Sequence, residues 1–191
     1  YLSIMKRLSK DKKHSLNEVD AIHSDVYMPA WEHLKGDVAA ALADEKGPEA
    51  KLFAGWDGQV AAGSVGATIY EHTLHYLTKI VFGAFVSENV VTDITIIPHV
   101  EMNLERLLQE PLDAKVWDDP RTTGKVENKR DRILQAYRLA LDKIAAKAGG
   151  PYAGNEKRWQ WGTLQPFFLK HAFGNKGALA GMVNSTKVPG T

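Results

Sequence analysis

The sequence predicts an α+β chain, a mostly helical segment with a few strands. Three observations carry that expectation. Apolar residues recur at steps of three and four over long stretches, cap and stop residues bound those stretches, and a β-branched run and an aromatic, glycine-bearing end interrupt the pattern. Residues 1–157 read as the mainly helical part and 158–191 as a strand and loop part, with no linker long enough to divide them.

Taken in order, Leu2, Met5 and Leu8 have helical spacing and suggest the tail of a helix. Ser15 and Glu18 then form a capping box, in which the hydroxyl and the carboxylate each satisfy a backbone N–H of the first turn. The helix they start carries Val19, Ile22, His23 and Val26 on one side and is expected to end at Met28-Pro29, because the residue before a proline avoids the α region. A second helix is expected from about Pro29 to Ala43.

Gly55-Trp56-Asp57-Gly58 is a turn by composition. Ser64 caps a long helix with Ala67, Tyr70, Leu74, Leu77 and Val81 inward. From Val86 to Ile97 the β-branched residues predict a strand. A short helix follows from His99 to Leu108, ended by Pro111, and Asp118-Asp119-Pro120 opens a loop. Val126 to Lys147 is a further long helix with Ile133, Tyr137, Ala140, Leu141 and Ile144 inward, stopped by Gly149-Gly150-Pro151. From Arg158 onward strands and loops are expected, with Trp159 and Trp161 on the same side of a strand. The aromatics Trp159, Trp161, Phe167, Phe168 and Phe173 are expected to need cover from other polypeptide.

Composition excludes several function classes. Twenty-four Lys and Arg stand against 23 Asp and Glu, and no basic run interleaves with aromatics, so neither nucleic acid nor an anionic membrane is an expected partner. No apolar run of about 20 residues exists to span a bilayer. With no cysteine, a thiolate metal site, a disulfide or a Cys nucleophile is ruled out. The opening at Tyr1 and the close on Val188-Pro189-Gly190-Thr191 read as cuts from a longer polypeptide.

Four constellations invite a catalytic reading. Ala62-Gly63-Ser64-Val65-Gly66 has the form of a nucleophile elbow, but that turn needs a buried strand ahead of it and Gly58 to Ala62 is too short and weakly apolar. An ordinary N-cap explains Ser64 with less. Ser3-Ile4-Met5-Lys6 matches a serine–lysine acylase spacing without its companion motifs. Glu71, His72 and His75 share one stretch of helix, but a zinc site needs further ligands that the sequence does not offer. Asp57, Asp118 and Asp119 are read as turn residues bonding their own backbone rather than paired catalytic carboxylates. Trp117, Trp159 and Trp161 are expected as core or interface residues rather than a stacking platform. From the residues alone no catalytic and no metal residue is assigned, and the substrate-binding residues are unknown.

Several stretches in a fixed order resemble the penicillin acylase (penicillin amidase) family. They are SLNEVDAIHSDVY from Ser15 to Tyr27, and LFAGWDGQVAAGSVGATIY from Leu52 to Tyr70 with Trp56, Asp57, Gly58, Ser64, Ala67, Ile69 and Tyr70. VWDDPRT from Val116, the long helix from Ile133 to Lys147, RWQWGTLQPFFLKHAFG from Arg158, and Val188-Pro189-Gly190 continue the series. Gln165 stands where the family commonly has histidine, and Gly63 where an acidic residue is frequent.

The resemblance implies an interior or C-terminal piece of the β subunit of an N-terminal nucleophile hydrolase, within an αββα sandwich. It implies autoprocessing to a heterodimer, and hydrolysis of an amide to release an acyl chain from an amine. Substrates in the family are of β-lactam, acyl-homoserine lactone or lipopeptide type, hence roles in antibiotic resistance and quorum quenching. The nucleophilic serine, its α-amine base and the oxyanion groups are expected outside this chain, leaving the chain alone inactive. No cofactor is expected in it, and the ligands of any calcium in the whole enzyme are expected elsewhere. The implied partners are the remaining β-subunit segment, the α subunit and a small amide substrate, in a periplasmic or secreted setting. The alternative expectation is a non-catalytic helical binding or structural domain derived from such an enzyme.

Overall fold

Helix α5, Val65–Gly83, is the most widely packed element among the described residues. Gly66, Ala67, Thr68 and Thr73 are buried along it together with Ile69, Tyr70, Leu77 and Val81. A helix closed from solvent around most of its girth needs small residues where neighbours approach closely, and this sequence supplies them. The computed structural model describes residues 2–8, 13–86, 98–169, 171, 172, 184, 187 and 188.

The earlier helices are α1 (Leu2–Leu8), α2 (Leu16–His23), α3 (Trp31–Ala41) and α4 (Pro48–Ala54). After α5 come α6 (Pro98–Leu107), α7 (Lys129–Ala148) and the short α8 (Trp161–Leu164). The principal contact is α5 against α7, with α3 on α7 and α4 on α5 completing the core. The aromatic centre is built from Trp31, Phe53, Trp56 and Tyr70. Trp31 lies 5.5 Å from Phe53 and 5.2 Å from Trp56, and Trp56 lies 4.8 Å from Tyr70 between ring centroids. Burying each such ring contributes about 1.5–3 kcal/mol. Both indoles keep their N–H satisfied, Trp31 by the Trp56 carbonyl at 2.9 Å and Trp56 by that of Gln59 at 3.0 Å.

Local signals hold where the sequence placed them. Ser15 and Glu18 form the capping box, and Ser64 caps α5. Gly58 turns the chain at φ +82°, and Gly149 ends α7 at φ +82°, positions where a Cβ is strained.

Several expectations are corrected. Helix α2 ends at His23 rather than at Met28-Pro29. Ser24 caps it, Asp25 pairs with Arg7 at 2.7 Å, and Val26 instead accepts a hydrogen bond from the Val60 N–H at 2.9 Å. Helix α3 begins at Trp31, with Ala30 as its cap, not at Pro29. Helix α4 was not expected, because only Ala50 and Phe53 of its seven residues are buried and so short a pattern is indistinct. Helix α7 begins at Lys129: Asn128 and Asp131 form its capping box, which leaves Val126 outside and exposed.

The end of the chain departs furthest. The strands expected from Arg158 are, among the described residues, a 3₁₀ turn at Glu156–Trp159, helix α8 and the single antiparallel bridge Phe167 to Val188. Trp159 and Trp161 therefore do not share a strand face. Trp159 is buried by this chain's own residues, edge-on to Tyr152 at 5.7 Å, and Trp161 is half-buried. Phe167, Phe168 and Leu169 are exposed. The other bridge joins Tyr27 and Gln59. The described chain is thus mostly helical with almost no strand. The strand expected from Val86 to Ile97 lies outside the described residues beyond Val86, as does Phe173.

Candidate functional site

The densest gathering of charge is a hub where the loop between Trp117 and Glu127 meets the first turns of α7. Asp119 makes an Asx turn, accepting from the Arg121 N–H at 2.9 Å, and takes the Arg121 guanidinium on both oxygens at 2.8 Å. That pairing, first among its causes, holds the Asp119 carboxyl down to about 2, from an ordinary 3.8. Glu127 reaches back across the loop. Its Oε2 accepts from the Thr122 hydroxyl at 2.9 Å and the Asp119 N–H at 3.3 Å. Burial opposes its ionisation, yet these donors and the charge of Arg132 outweigh burial and keep its pKa below the ordinary value. Asp118 accepts from the Glu127 N–H at 3.1 Å.

Arg132 closes the hub from α7. It is 3% exposed and donates to the Trp117 carbonyl at 2.6 Å, to Gln135 at 3.1 Å and to Glu127 at 3.4 Å. One turn earlier, buried Lys129 donates to Asp37 of α3 at 3.0 Å and to the Leu108 carbonyl at 2.9 Å, with its ammonium 5.6 Å from the Trp117 ring centroid. Chemically, ionised carboxylates that are already hydrogen-bonded are acceptors only and have no proton to give. The hub fixes the loop on the first turns of α7, and it does not assemble an acid–base pair.

The second gathering is a cleft lined by Glu71, His72, His75, Tyr76, Trp161 and Gln165. His72 donates from Nδ1 to the Thr68 carbonyl at 2.9 Å, since a carbonyl only accepts, and this leaves Nε2 as an acceptor. Burial lowers the pKa of His72, and burial with the nearby charges of Lys79 and His72 lowers that of His75, so both rings favour the neutral form. His75 sits edge-on to Tyr76 at 5.0 Å. Among the described residues no group of three or more His, Asp or Glu side chains is placed to hold a metal ion.

The remaining sequence candidates resolve simply. Ser64 has ordinary extended angles, φ −77° and ψ 118°, and its Oγ accepts from the Ala67 N–H at 3.0 Å. Ala61 to Ser64 is a turn rather than a strand, so the elbow geometry is absent. Its carbonyls instead seat the start of α8, Ser64 accepting from Trp161 at 3.1 Å and Ala62 from Gly162 at 2.8 Å. A Cβ on Gly66 would lie 2.5 Å from Trp56 Cδ1, so that glycine serves packing. Ser3 and Lys6 lie on α1, and the Ser3 side chain is outside the described residues. Asp57 accepts from the Gln59 N–H at 2.9 Å, a turn residue like Asp119. Trp117 is fully buried, with its indole donating to Pro111 at 3.1 Å.

Sequence reasoning missed Glu127 and the inward roles of Lys129 and Arg132. The signal was present: positions 129, 132, 136 and 140 lie on one helical stripe, and Ala136 and Ala140 are core.

What the fold and the site define is a helical scaffold in which the polar side chains of the hub hold a loop to α7. A family model described as penicillin amidase matches residues 1–191. The chain belongs to the penicillin amidase family, and is accordingly amidohydrolase-like. No curated protein matches the chain.

Proposed function

We propose that this chain is the supporting helical part of an amide hydrolase that removes an acyl chain from an amine. Its nucleophile is an N-terminal serine lying outside these residues. That serine's α-amine, with a reference pKa near 8, acts as the base. The observation that carries the reading is the family match across residues 1–191. The geometry agrees with it: the Ser64 hydroxyl is engaged as a helix cap, and the hub carboxylates are held ionised by their partners. In this proposal the chain joins the remaining β-subunit segment and the α subunit in an αββα sandwich, in a periplasmic or secreted enzyme. The amide is of β-lactam, acyl-homoserine lactone or lipopeptide type. Any calcium is held by residues of the rest of the enzyme.

The test compares the purified chain with the longer polypeptide that contains it, using benzylpenicillin and an acyl-homoserine lactone as substrates. The longer polypeptide is expected to turn over at least one of them and the chain alone neither. Turnover by the chain alone, abolished by Ser64→Ala, overturns the assignment of the nucleophile. Inactivity of both on every linear amide tried favours a non-catalytic helical domain.

A further inference from the structure

We propose that the cleft between the C-terminal half of α5 and the N-terminal half of α7 is a binding site for a small amphipathic carboxylic acid, taken up as its monoanion. The inference is independent of the reaction proposed above.

The cleft is built by two matching stripes. Tyr76, Lys79, Ile80 and Gly83 occupy one face of α5 at steps of three and four, and Arg132, Gln135 and Leu139 occupy one face of α7 in the same way. Asp119 and Arg121 close one end. The volume, about 320 Å³, suits a short-chain ligand and falls at the small end of the usual range for small-molecule sites.

Charge decides what kind of ligand. The lining carries three cations, Lys79, Arg121 and Arg132, and one anion, Asp119. Arg121 is held bidentate by Asp119, and Arg132 is matched from behind by Glu127. Lys79 has no carboxylate partner among the described residues, and its ammonium lies 5.9 Å from the Tyr76 ring centroid. The cleft therefore presents one uncompensated positive charge. The walls beside it are apolar: Ile80 and Tyr76 are half-buried and Leu139 is exposed. A monoanion with a short hydrocarbon body meets both requirements, its carboxylate on Lys79 and its chain along Tyr76, Ile80 and Leu139. The neighbouring cleft on the other side of Gln135 shows the contrast. It adds Lys125 and Arg138, but also Glu127, Asp131 and Asp142, and so offers no net preference for an anion.

The experiment is calorimetric titration of the 191-residue chain with octanoate, with octan-1-ol as the uncharged probe and inorganic phosphate as the apolar-free one. Octanoate is expected to bind, with octan-1-ol and phosphate each weaker by roughly tenfold or more. Lys79→Gln should weaken octanoate by about tenfold, while Lys79→Arg restores it to within about threefold. Leu139→Glu, which places a carboxylate at an exposed wall position, should abolish it without shifting the melting temperature appreciably. No heat with octanoate at millimolar concentration overturns the proposal. So does equal binding of octan-1-ol, or octanoate binding that survives both Lys79→Gln and Leu139→Glu.

Discussion

Around Arg132 titratable side chains are kept charged by one another, whereas along the His72 face of α5 they are kept neutral by burial. The hub gives every carboxylate a cation or an N–H partner, so that desolvation is answered locally. The cleft gives His72 the Thr68 carbonyl for its proton, while burial, the largest cause, lowers its pKa. Residues of the kinds that perform catalysis therefore occur twice here, and in neither place do they form a proton-transfer pair. The lesson is that a cluster of Asp, Glu, Arg or His is defined by who partners whom, not by its composition.

The hub breaks most readily at Arg132. Arg132→Ala removes the cation that faces Glu127 and Asp119 and leaves three donors' worth of acceptors empty, so stability should fall by about 3–5 kcal/mol, read from the urea midpoint. A loss below about 1 kcal/mol would mean that the hub is solvated and contributes little. Acid should loosen the same region. Because the folded-state pKa of Asp119 is depressed from 3.8 to about 2, its contribution is complete above 3.8 and is lost as the pH falls towards 2. The stability gap between the native chain and Asp119→Asn should thus be constant near neutrality and shrink across that window; a gap independent of pH would remove Asp119 from the account.

The histidine side predicts a gentler slope in a different window. His72 has a folded-state pKa below its ordinary 6.5, so neutral His72 is tolerated above 6.5 and the chain loses stability as the pH drops below that value. His72→Gln should flatten the melting temperature between pH 7 and pH 5 relative to the native chain, and an unchanged slope would contradict the burial argument. The smallest expected effect concerns metal. Since Glu71, His72 and His75 lack a further ligand among the described residues, EDTA should leave the melting temperature unchanged. A chelator-induced shift that disappears in His72→Ala would convert the cleft into a metal site.

Signals carried by neighbours in sequence were legible. Ser15 with Glu18, Ser64 with Ala67, the Asx turn at Asp119 and the αL stop at Gly149 each involve residues no more than three apart or a single backbone angle. The inward stripe of α5 was legible for the same reason, since periodicity is a local property. What misled were places where a distant residue outbids the local preference. Val26 left the expected helix to pair with Val60, and Arg7 drew Asp25 aside. Trp159 and Trp161, at strand-like spacing, were taken by a 3₁₀ turn and a short helix seated on the Ala62 and Ser64 carbonyls.

By itself, then, the sequence determined the caps that start α2 and α5, the glycine that stops α7, which face of α5 is apolar, and the family to which the chain belongs, because each is written in residues near one another or in their fixed order. Only the tertiary structure decided that Asp119, Glu127, Arg132 and Lys129 form one hub, that Gly66 exists to admit Trp56, and that Lys79 has no carboxylate partner among the described residues. Those facts depend on which side chains from distant positions come within a few ångströms of each other. Charge pairing and close packing act only at that range, so chain order alone does not contain them.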